Sequence, residues 1–489
     1  MVDKFDLIVI GSGSGLDVAN AVAEMGFKVA IIEKGRMGGT CLNRGCVPSK
    51  LLIHSADVIE VIKSAEEFGI KVNGYNIDFK KIVSKVNSII DSDSDQIRQA
   101  FQDLKNPRLF PGSCKFIGNK SIQILNGHDD DKRTTDIITA DKILIASGTR
   151  PRIPNIPGLE KGGYITSDEA LRLTEQPKVL TIIGGGYIAA ELGHFYGSLG
   201  TKVNIIQREN VLIPNEDEEV SQKFTELFSQ KYNIYLNSEV ESVEINKENH
   251  NGEKADIGVR TFLTTIRNNN RGEQATATTT IKSDQLLVAT GRRPNSDLID
   301  LDKTGVKVNE MGFILVDEYL ETNVAGIFAL GDAIGKYQFK HSANHEAQYA
   351  FHNITHHNNK IPVDYTAIPH AIFSWPQVAG VGYTEQQLKK TRIKYAKAVY
   401  SYIDTAMGQA IEDTDGFVKF LLRKDDGKIL GCHILGAEAS ILIHEVLVAM
   451  KSGSGAIQDI IRTVHIHPAL SEVISRAAAT GAFANSSDN

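Results

Sequence analysis

One local pattern occurs twice in this chain and limits its fold more than any other. A short apolar run, Leu7-Ile8-Val9-Ile10, meets the turn Gly11-Ser12-Gly13-Ser14-Gly15. A helical stretch follows from Val18 to Met25, and a second apolar run, Val29-Ala30-Ile31-Ile32, ends at Glu33. Runs this short and this apolar read as strands buried on both faces of a parallel sheet. The pattern returns at Val179-Leu180-Thr181-Ile182-Ile183 and the turn Gly184-Gly185-Gly186-Tyr187-Ile188-Ala189. A helix then runs through Glu191 toward Gly200, and Val203-Asn204-Ile205-Ile206 is the next strand. Each copy is a strand–turn–helix–strand unit of the dinucleotide-binding kind. Its glycines let the backbone approach a pyrophosphate, and the helix N-terminus favours that charge. An acidic residue about 20 positions on holds a ribose hydroxyl, the place of Glu33. In the first copy Leu16 stands where G-x-G-x-x-G has its third glycine, and a generic glycine-rich turn would look similar. The second copy fits the form ending in Ala. Laid over the first, it puts Gln207 where an NAD-selective fold has a carboxylate, with Arg208 next. A carboxylate repels a 2′-phosphate and an arginine accommodates one. The expectation is NADPH, or use of both nucleotides, over strict NADH; a solvated strand end is the other reading of Arg208.

Directly after Glu33 comes Gly38-Gly39-Thr40-Cys41-Leu42-Asn43-Arg44-Gly45-Cys46-Val47-Pro48-Ser49-Lys50, which holds two of the chain's four cysteines. Pro48 suits the first position of a helix. Leu51, Leu52, Ile53, Ala56, Val58, Ile59 and Ile62 continue it at helical spacing. Cys46 would lie at the positive end of that helix, with the cation of Lys50 one turn on; both settings favour a thiolate. The residues alone leave two readings, a redox pair or two unrelated buried cysteines.

The stretch from Gly38 to Lys50 closely resembles the redox motif of the class I flavoprotein disulfide reductases, which include dihydrolipoamide dehydrogenase, glutathione reductase, mycothione reductase and mercuric reductase. The resemblance runs from the first strand to a His-Pro motif near the C-terminus. It implies an α/β fold of two Rossmann-like dinucleotide-binding domains, for FAD and NAD(P), and a C-terminal α/β dimerisation domain. The expected boundaries are 1–150 for the first part of the FAD domain, 151–282 for the NAD(P) domain, 283–348 for the second FAD part and 349–489 for the dimerisation domain. The segment Lys142–Gly148 resembles the family's first Ala-Thr-Gly motif, with Ser147 for threonine, and Ala289-Thr290-Gly291 matches the second. Thr322–Asp332 resembles its second FAD motif. Arg150-Pro151-Arg152-Ile153-Pro154 reads as a hinge, because prolines bar a helix. By resemblance, Gly11, Gly13, Gly15, Glu33, Lys34, Gly39, Thr40, Lys50, Ser147, Gly148, Gly331 and Asp332 hold FAD. Gly184, Gly186, Tyr187, Ile188, Gln207, Arg208 and Gly291 meet NAD(P)H.

The catalytic assignments follow the same resemblance. Cys41 and Cys46 form the redox disulfide, Cys46 facing the flavin and Cys41 attacking the substrate. Tyr187 covers the nicotinamide pocket, and Lys50 pairs with Glu191 beside the flavin. His467 and Glu472, in Val464-His465-Ile466-His467-Pro468-Ala469-Leu470-Ser471-Glu472, match the acid–base dyad. That dyad serves the disulfide of the other subunit, which implies a homodimer with a shared active site. No metal is expected, since two histidines two apart find no further ligand at a useful spacing.

Composition excludes other classes. At 489 residues the chain needs several domains. A formal charge of −7 argues against nucleic acid as a partner. No run of 18 apolar residues suggests a membrane span. Few cysteines and no signal pattern point to a reducing cytoplasm. Cys114 reads as a buried structural thiol. The polar stretch from 245 to 282, with Asn268-Asn269-Asn270 at a loop tip, reads as a surface hairpin or meander. The substrate is a small dithiol or disulfide. The run His467–Glu472 leans toward dihydrolipoamide dehydrogenase, whereas Lys34–Gly39 and Lys340–Ala347 look more like mycothione reductase. The last residues lack the cysteine pair that mercuric reductase and high-molecular-weight thioredoxin reductase need. Arg44, between the cysteines, meets an acidic substrate or only solvent. A docking subunit of a 2-oxoacid dehydrogenase complex and an FAD-binding redox sensor are the readings from other classes.

Overall fold

The computed structural model describes residues 2–126, 134–248, 259–268 and 278–486. The chain divides into two compact units. The first gathers Met1–Leu51, Lys81–Arg152 and Gly291–Asp364. Its sheet runs in the order Arg108–Pro111, Val29–Glu33, Asp3–Ile10, Thr134–Ile145, Ser121–Asn126 and Ser113–Gly118, and Ile327–Ala329 also pairs with Thr134–Ile145. The first four strands and Ile327–Ala329 are parallel, and the hairpin at the far edge is antiparallel. Apolar layers cover both faces of the parallel part. Val18, Ala19 and Val22 of the helix Gly15–Glu24 pack with Leu7, Val9, Val29 and Ile31, while Phe110, Phe116 and Ile122 pack with Ile8, Ala30 and Ile143. Burial on both sides is why these strands read as unbroken apolar runs.

The second unit gathers Leu52–Lys80, Ile153–Thr290 and Tyr365–Asn489. It holds a parallel sheet ordered Asn233–Tyr235, Lys202–Ile206, Val179–Ile183, Gln285–Val288. The strands Ser238–Glu248, Val259–Asn268 and Thr278–Ser283 form an antiparallel meander, as the alternating polar stretch suggests. Asn269 and Asn270, at the expected loop tip, lie outside the described residues. A five-stranded antiparallel sheet runs Pro369–Ile372, Gln377–Gly382, Ile429–Gly436, Phe417–Arg423, Tyr395–Ser401. The helices Ala439–Ser452 and Glu472–Ser486 bury Leu442, Ile443, Val446, Val473 and Ala477 in the core that includes this sheet.

The chain passes from one unit to the other between Arg152 and Ile153. Before that point Thr149–Pro151 pairs antiparallel with Arg292–Pro294, and Arg150 donates to Asp297 at 2.8 and 2.6 Å. Two long helices, Cys46–Ser64 and Phe79–Gln102, follow the cysteine segment, the first continuing at the helical spacing read from Leu51 to Ile62. Their apolar residues are only partly core. Val83, Val86 and Ile90 are buried, but Ile89, Val58 and Val61 face outward.

Candidate active site

The site in the first unit is built on close backbone approach. Gly11 has φ +103°, and a Cβ there would lie 2.4 Å from the Ala146 carbonyl oxygen. At Gly15 a Cβ would meet the side chains of Val9 and Ala146 at 2.8 and 2.9 Å. Gly15 therefore does the helix-on-strand packing that the usual spacing gives to the place of Leu16, so the irregular motif keeps its function. The next approach is Gly39, whose Cβ would lie 2.7 Å from the Cα of Gly13. The cysteine segment thus rests directly on the glycine turn. Glu33 ties the two together. It accepts from the Ser12 amide at 2.9 Å, the Ser12 hydroxyl at 2.8 Å and the Gly35 amide at 2.7 Å. The Ser12 hydroxyl in turn accepts from the Gly38 amide at 3.1 Å.

Cys41 is half-buried in the short helix Gly39–Arg44, and the exposed Cys46 opens the helix Cys46–Ser64. Asn43 donates to the carbonyls of Met37 and Gly39 at 2.9 Å each, which fixes the short helix. Between the helices only glycine fits, since a Cβ on Gly45 would lie 2.9 Å from the Thr40 carbonyl oxygen. The Cys41 thiol is brought down to about 7. A hydrogen bond with the Cys46 side chain is the main cause, burial opposes it, and Lys340, the Cys46 backbone and Lys50 add to the lowering. The N-terminus of the helix Cys46–Ser64 favours negative charge on Cys46 in the same way. The other two cysteines are inert. Cys114 is buried and pushed up to about 12, and burial raises the fully buried Cys432 well above the ordinary thiol value.

The same unit fits FAD. The Ser147 hydroxyl is buried with no hydrogen-bond partner. Burial raises the Asp332 carboxyl above its usual range, only partly offset by the Thr149 hydroxyl at 2.8 Å and the charge of Arg292. Arg292 holds Thr149 in place at 2.7 Å. A buried hydroxyl without a partner and a buried carboxyl with one neutral donor are groups left for a polar ligand. Gly331 donates to the buried Glu346 at 2.6 Å, which holds the turn that carries Asp332. Gly13 and Gly148 (φ +63°) face open space. Thr40 and Lys50 are half-buried, and Lys34 is exposed.

In the second unit Gly184 repeats Gly11. Its φ is +107° and a Cβ would lie 2.4 Å from the Ala289 carbonyl oxygen. Gly186 is open, and the helix Tyr187–Ser198 starts there with no side-chain cap. Tyr187 is exposed and Ile188 half-buried. Gln207 is buried, donating to the Val211 carbonyl at 3.2 Å and accepting from the Arg208 amide at 3.1 Å. Its amide is taken up by its own loop. The Arg208 side chain is 74% exposed and lies 3.2 Å from Glu209. Gly291 belongs to the first unit, with φ +102° and open space around it. Glu191 is buried and accepts from the Phe373 amide at 3.1 Å; Lys50 is described with the first unit.

His467 is largely exposed, and its Nδ1 lies 3.0 and 3.1 Å from the two oxygens of Glu472. That carboxyl is held below its usual range by the His467 hydrogen bond, the Ala469 amide and Arg476. Holding Nδ1 leaves Nε2 free to exchange a proton with a ligand. The neighbouring His465 is engaged by Glu445. Among the described residues no group of three or more His, Cys, Asp or Glu could hold a metal, and no helix is long and apolar enough to cross a membrane.

Two glycine-turn dinucleotide folds, a hydrogen-bonded thiol pair and a histidine–carboxylate dyad define a flavin- and nicotinamide-dependent thiol/disulfide oxidoreductase. The sequence profile of the pyridine nucleotide–disulphide oxidoreductases matches residues 5–347, and that of their dimerisation domain matches 368–478. The chain belongs to this family, which uses FAD and NAD(P)H. It is 34% identical over 490 residues to mycothione reductase of Mycobacterium tuberculosis, covering 97% of this chain and 99% of that protein. It is 36% identical over 477 residues to dihydrolipoyl dehydrogenase of Geobacillus stearothermophilus, covering 97% and 95%. The HOCl-induced flavoprotein disulfide reductase RclA from Escherichia coli superposes with a TM-score of 0.81 at 25% identity, over 97% of this chain and 99% of that one. The dimerisation domain supports a homodimer acting on thiols or disulfides.

Sequence reasoning passed over Ser12, Thr149, Arg292 and Glu346, which brace Glu33, Asp332 and its turn. No local spacing signals them, because each acts on a residue distant in the chain.

Proposed function

We propose that this enzyme passes an electron pair between NADPH and a small disulfide through Cys41 and Cys46, with His467 of the partner subunit as acid and base. The observation that carries the reading is the thiol pair: two cysteines on adjoining helix ends, hydrogen-bonded, one brought to near neutrality. FAD, which Glu33, Ser147 and Asp332 would hold, would supply two-electron transfer between the nicotinamide and the Cys41–Cys46 disulfide when bound. The protein's own steps follow from the sulfurs. The Cys41 thiolate attacks one sulfur of the substrate disulfide, forming a mixed disulfide and expelling the first thiolate. His467 gives that thiolate a proton, and Glu472 steadies the imidazolium. The Cys46 thiolate then attacks Cys41, restores the disulfide and releases the second thiolate, which takes up a proton in turn. Run backwards, a dithiol is oxidised and His467 acts as base.

Two observations support NADPH. Gln207, not a carboxylate, directly follows the strand Lys202–Ile206, and the guanidinium of Arg208, though 3.2 Å from Glu209, is largely open to solvent. Dihydrolipoamide oxidation with NAD⁺ is the second reading, favoured by the run His467–Glu472 and by the dihydrolipoyl dehydrogenase similarity. A chain with few cysteines suits a reducing cytoplasm. The test is a substrate panel on purified protein: NADPH or NADH with lipoamide, glutathione disulfide, bis-γ-glutamylcystine and mycothione, against NAD⁺ with dihydrolipoamide. Faster turnover of a disulfide with NADPH is expected. Preference for dihydrolipoamide and NAD⁺ selects the second reading, and only trace turnover with every pair overturns both.

A further inference from the structure

Two histidines stand two apart in the run Val464–Glu472, and the proposed relay uses only the second. From Arg462 to Pro468 the chain forms neither helix nor strand, and every residue is exposed except His465. The His465 side chain is only 11% exposed. Its Nε2 lies 2.5 Å from Glu445 Oε1, and its Nδ1 lies 3.0 Å from the Thr463 carbonyl oxygen. Both partners are acceptors, one on each side of the ring, so the orientation of the imidazole is fixed. Glu445 lies in the middle of the helix Ala439–Ser452, which sets Leu442, Ile443 and Val446 in the core. Ile461 before the segment and Leu470 after it also pack on that core. Between those two points His465 is the inward tie, and it fastens an exposed stretch of chain to a fixed helix.

That tie bears on His467, two residues further on. Glu472 holds the His467 ring at Nδ1, but from the start of its own helix Glu472–Ser486, downstream of the exposed stretch. It orients the ring and leaves the backbone that carries the ring to be fixed from upstream. A general acid must come within hydrogen-bond reach of the atom it protonates, and a misplacement of about 1 Å costs on the order of 100-fold in rate. An exposed segment without an anchor samples many backbone conformations, and ordering it costs entropy at each encounter. We propose that Glu445 and His465 are a positioning pair, a second histidine–carboxylate dyad that holds the segment carrying His467 so that its imidazole keeps one place for the departing thiolate. The inference rests on the reading of His467 as the acid, and it adds the upstream half of that residue's support.

The test compares two disulfides that differ in the thiol they expel. An alkyl thiolate is a poor leaving group and gains from a proton, whereas the aryl thiolate of dithiobis(nitrobenzoate) is a weak base and leaves without one. The alkyl probe is whichever of lipoamide, glutathione disulfide, bis-γ-glutamylcystine and mycothione the FAD-loaded wild type reduces fastest. Glu445→Leu and His465→Phe should each lower kcat with it by about 10- to 100-fold and change KM by less than about threefold. Release of the aryl thiolate, on mixing NADPH-reduced enzyme with dithiobis(nitrobenzoate), should stay within about twofold of wild type. Glu445→Gln keeps an acceptor oxygen for His465 and should recover most of the lost kcat. His467→Asn should show the same split between the two disulfides with a larger loss. Wild-type kcat in both Glu445→Leu and His465→Phe overturns the proposal. So does an equal loss with the two disulfides, which a general loss of structure would give. Should Glu445→Leu no longer elute as a dimer, His465→Phe decides. Failure of the underlying reading looks different: His467→Asn would then keep full turnover of the alkyl disulfide.

Discussion

At the residue scale, the two cysteines differ in exposure and in what holds them, and the difference gives each a separate test. Cys46 sits at a helix N-terminus and must face the flavin in the proposed relay, while Cys41 faces the substrate. Cys46→Ser should keep its yellow FAD, lose the long-wavelength absorption that a thiolate beside the ring gives on reduction, and lose turnover by on the order of 10³-fold or more, as removal of one member of a covalent relay does. Unchanged absorption on reduction would refute the role of Cys46. Arg208 invites a similar separation. With 74% of its side chain exposed and Glu209 at 3.2 Å, it is a surface ion pair in the free protein, worth little to stability. Arg208→Ala should leave the melting temperature alone and raise KM for NADPH several-fold more than KM for NADH. Equal changes would remove the reason for preferring NADPH. The fate of Gln207 was not legible in the sequence. Its position in the strand was, but the burial of its amide depends on Val211 folding back beneath it, which no local pattern encodes.

At the scale of elements, the parallel strands were plain in the sequence because burial on both faces leaves few polar residues in them. The long helices were harder. Cys46–Ser64 was visible by its spacing, but its apolar residues do not all meet a core, and one charged residue on it is buried instead. Glu60 lies under Lys231 at 2.7 Å and Lys63 at 3.0 Å. Burial alone would raise its carboxyl, yet these ammonium groups and Ser198 outweigh it and bring the group down to about 2. The unfolded value is near 4.3. A carboxyl depressed by folding adds stability that is complete above the unfolded value and is lost as pH falls through the folded one. The window is therefore about pH 4.5 to about 2, and the contribution is on the order of 3 kcal/mol at neutral pH. Glu60→Gln should melt well below wild type at pH 7, and the gap should narrow steadily as the pH is lowered toward 3. A gap that stays constant across that range, measured by thermal unfolding, would show that the ion pairs contribute no linked stability.

At the scale of the whole molecule, the proposed relay joins the thiol pair of one chain to the dyad of its copy. His467 is exposed, and so are its neighbours Val464 and Ile466, at 95% and 77%. On the helix Ala439–Ser452, Ile441 and Val448 are spaced seven apart, which puts them on one face, and both are more than 60% exposed. Apolar side chains gathered on a surface in this way mark an interface, and this segment falls within the match to the dimerisation domain. The sequence announced the dyad through its His-Pro run but not this face, because helical spacing cannot say whether a core or a second subunit covers it. Replacing Ile441 and Val448 together with glutamate leaves Cys41, Cys46, His467 and Glu472 in place. The double variant should elute at half the mass of the wild-type dimer and lose disulfide reduction by at least about 100-fold. NADPH oxidation with ferricyanide, which needs flavin but no dyad, should persist within about twofold, since each subunit keeps its own flavin and nicotinamide sites. A monomer that still reduces the substrate disulfide would mean that His467 serves the cysteines of its own chain, and a dimer that survives both glutamates would mean that another surface joins the subunits.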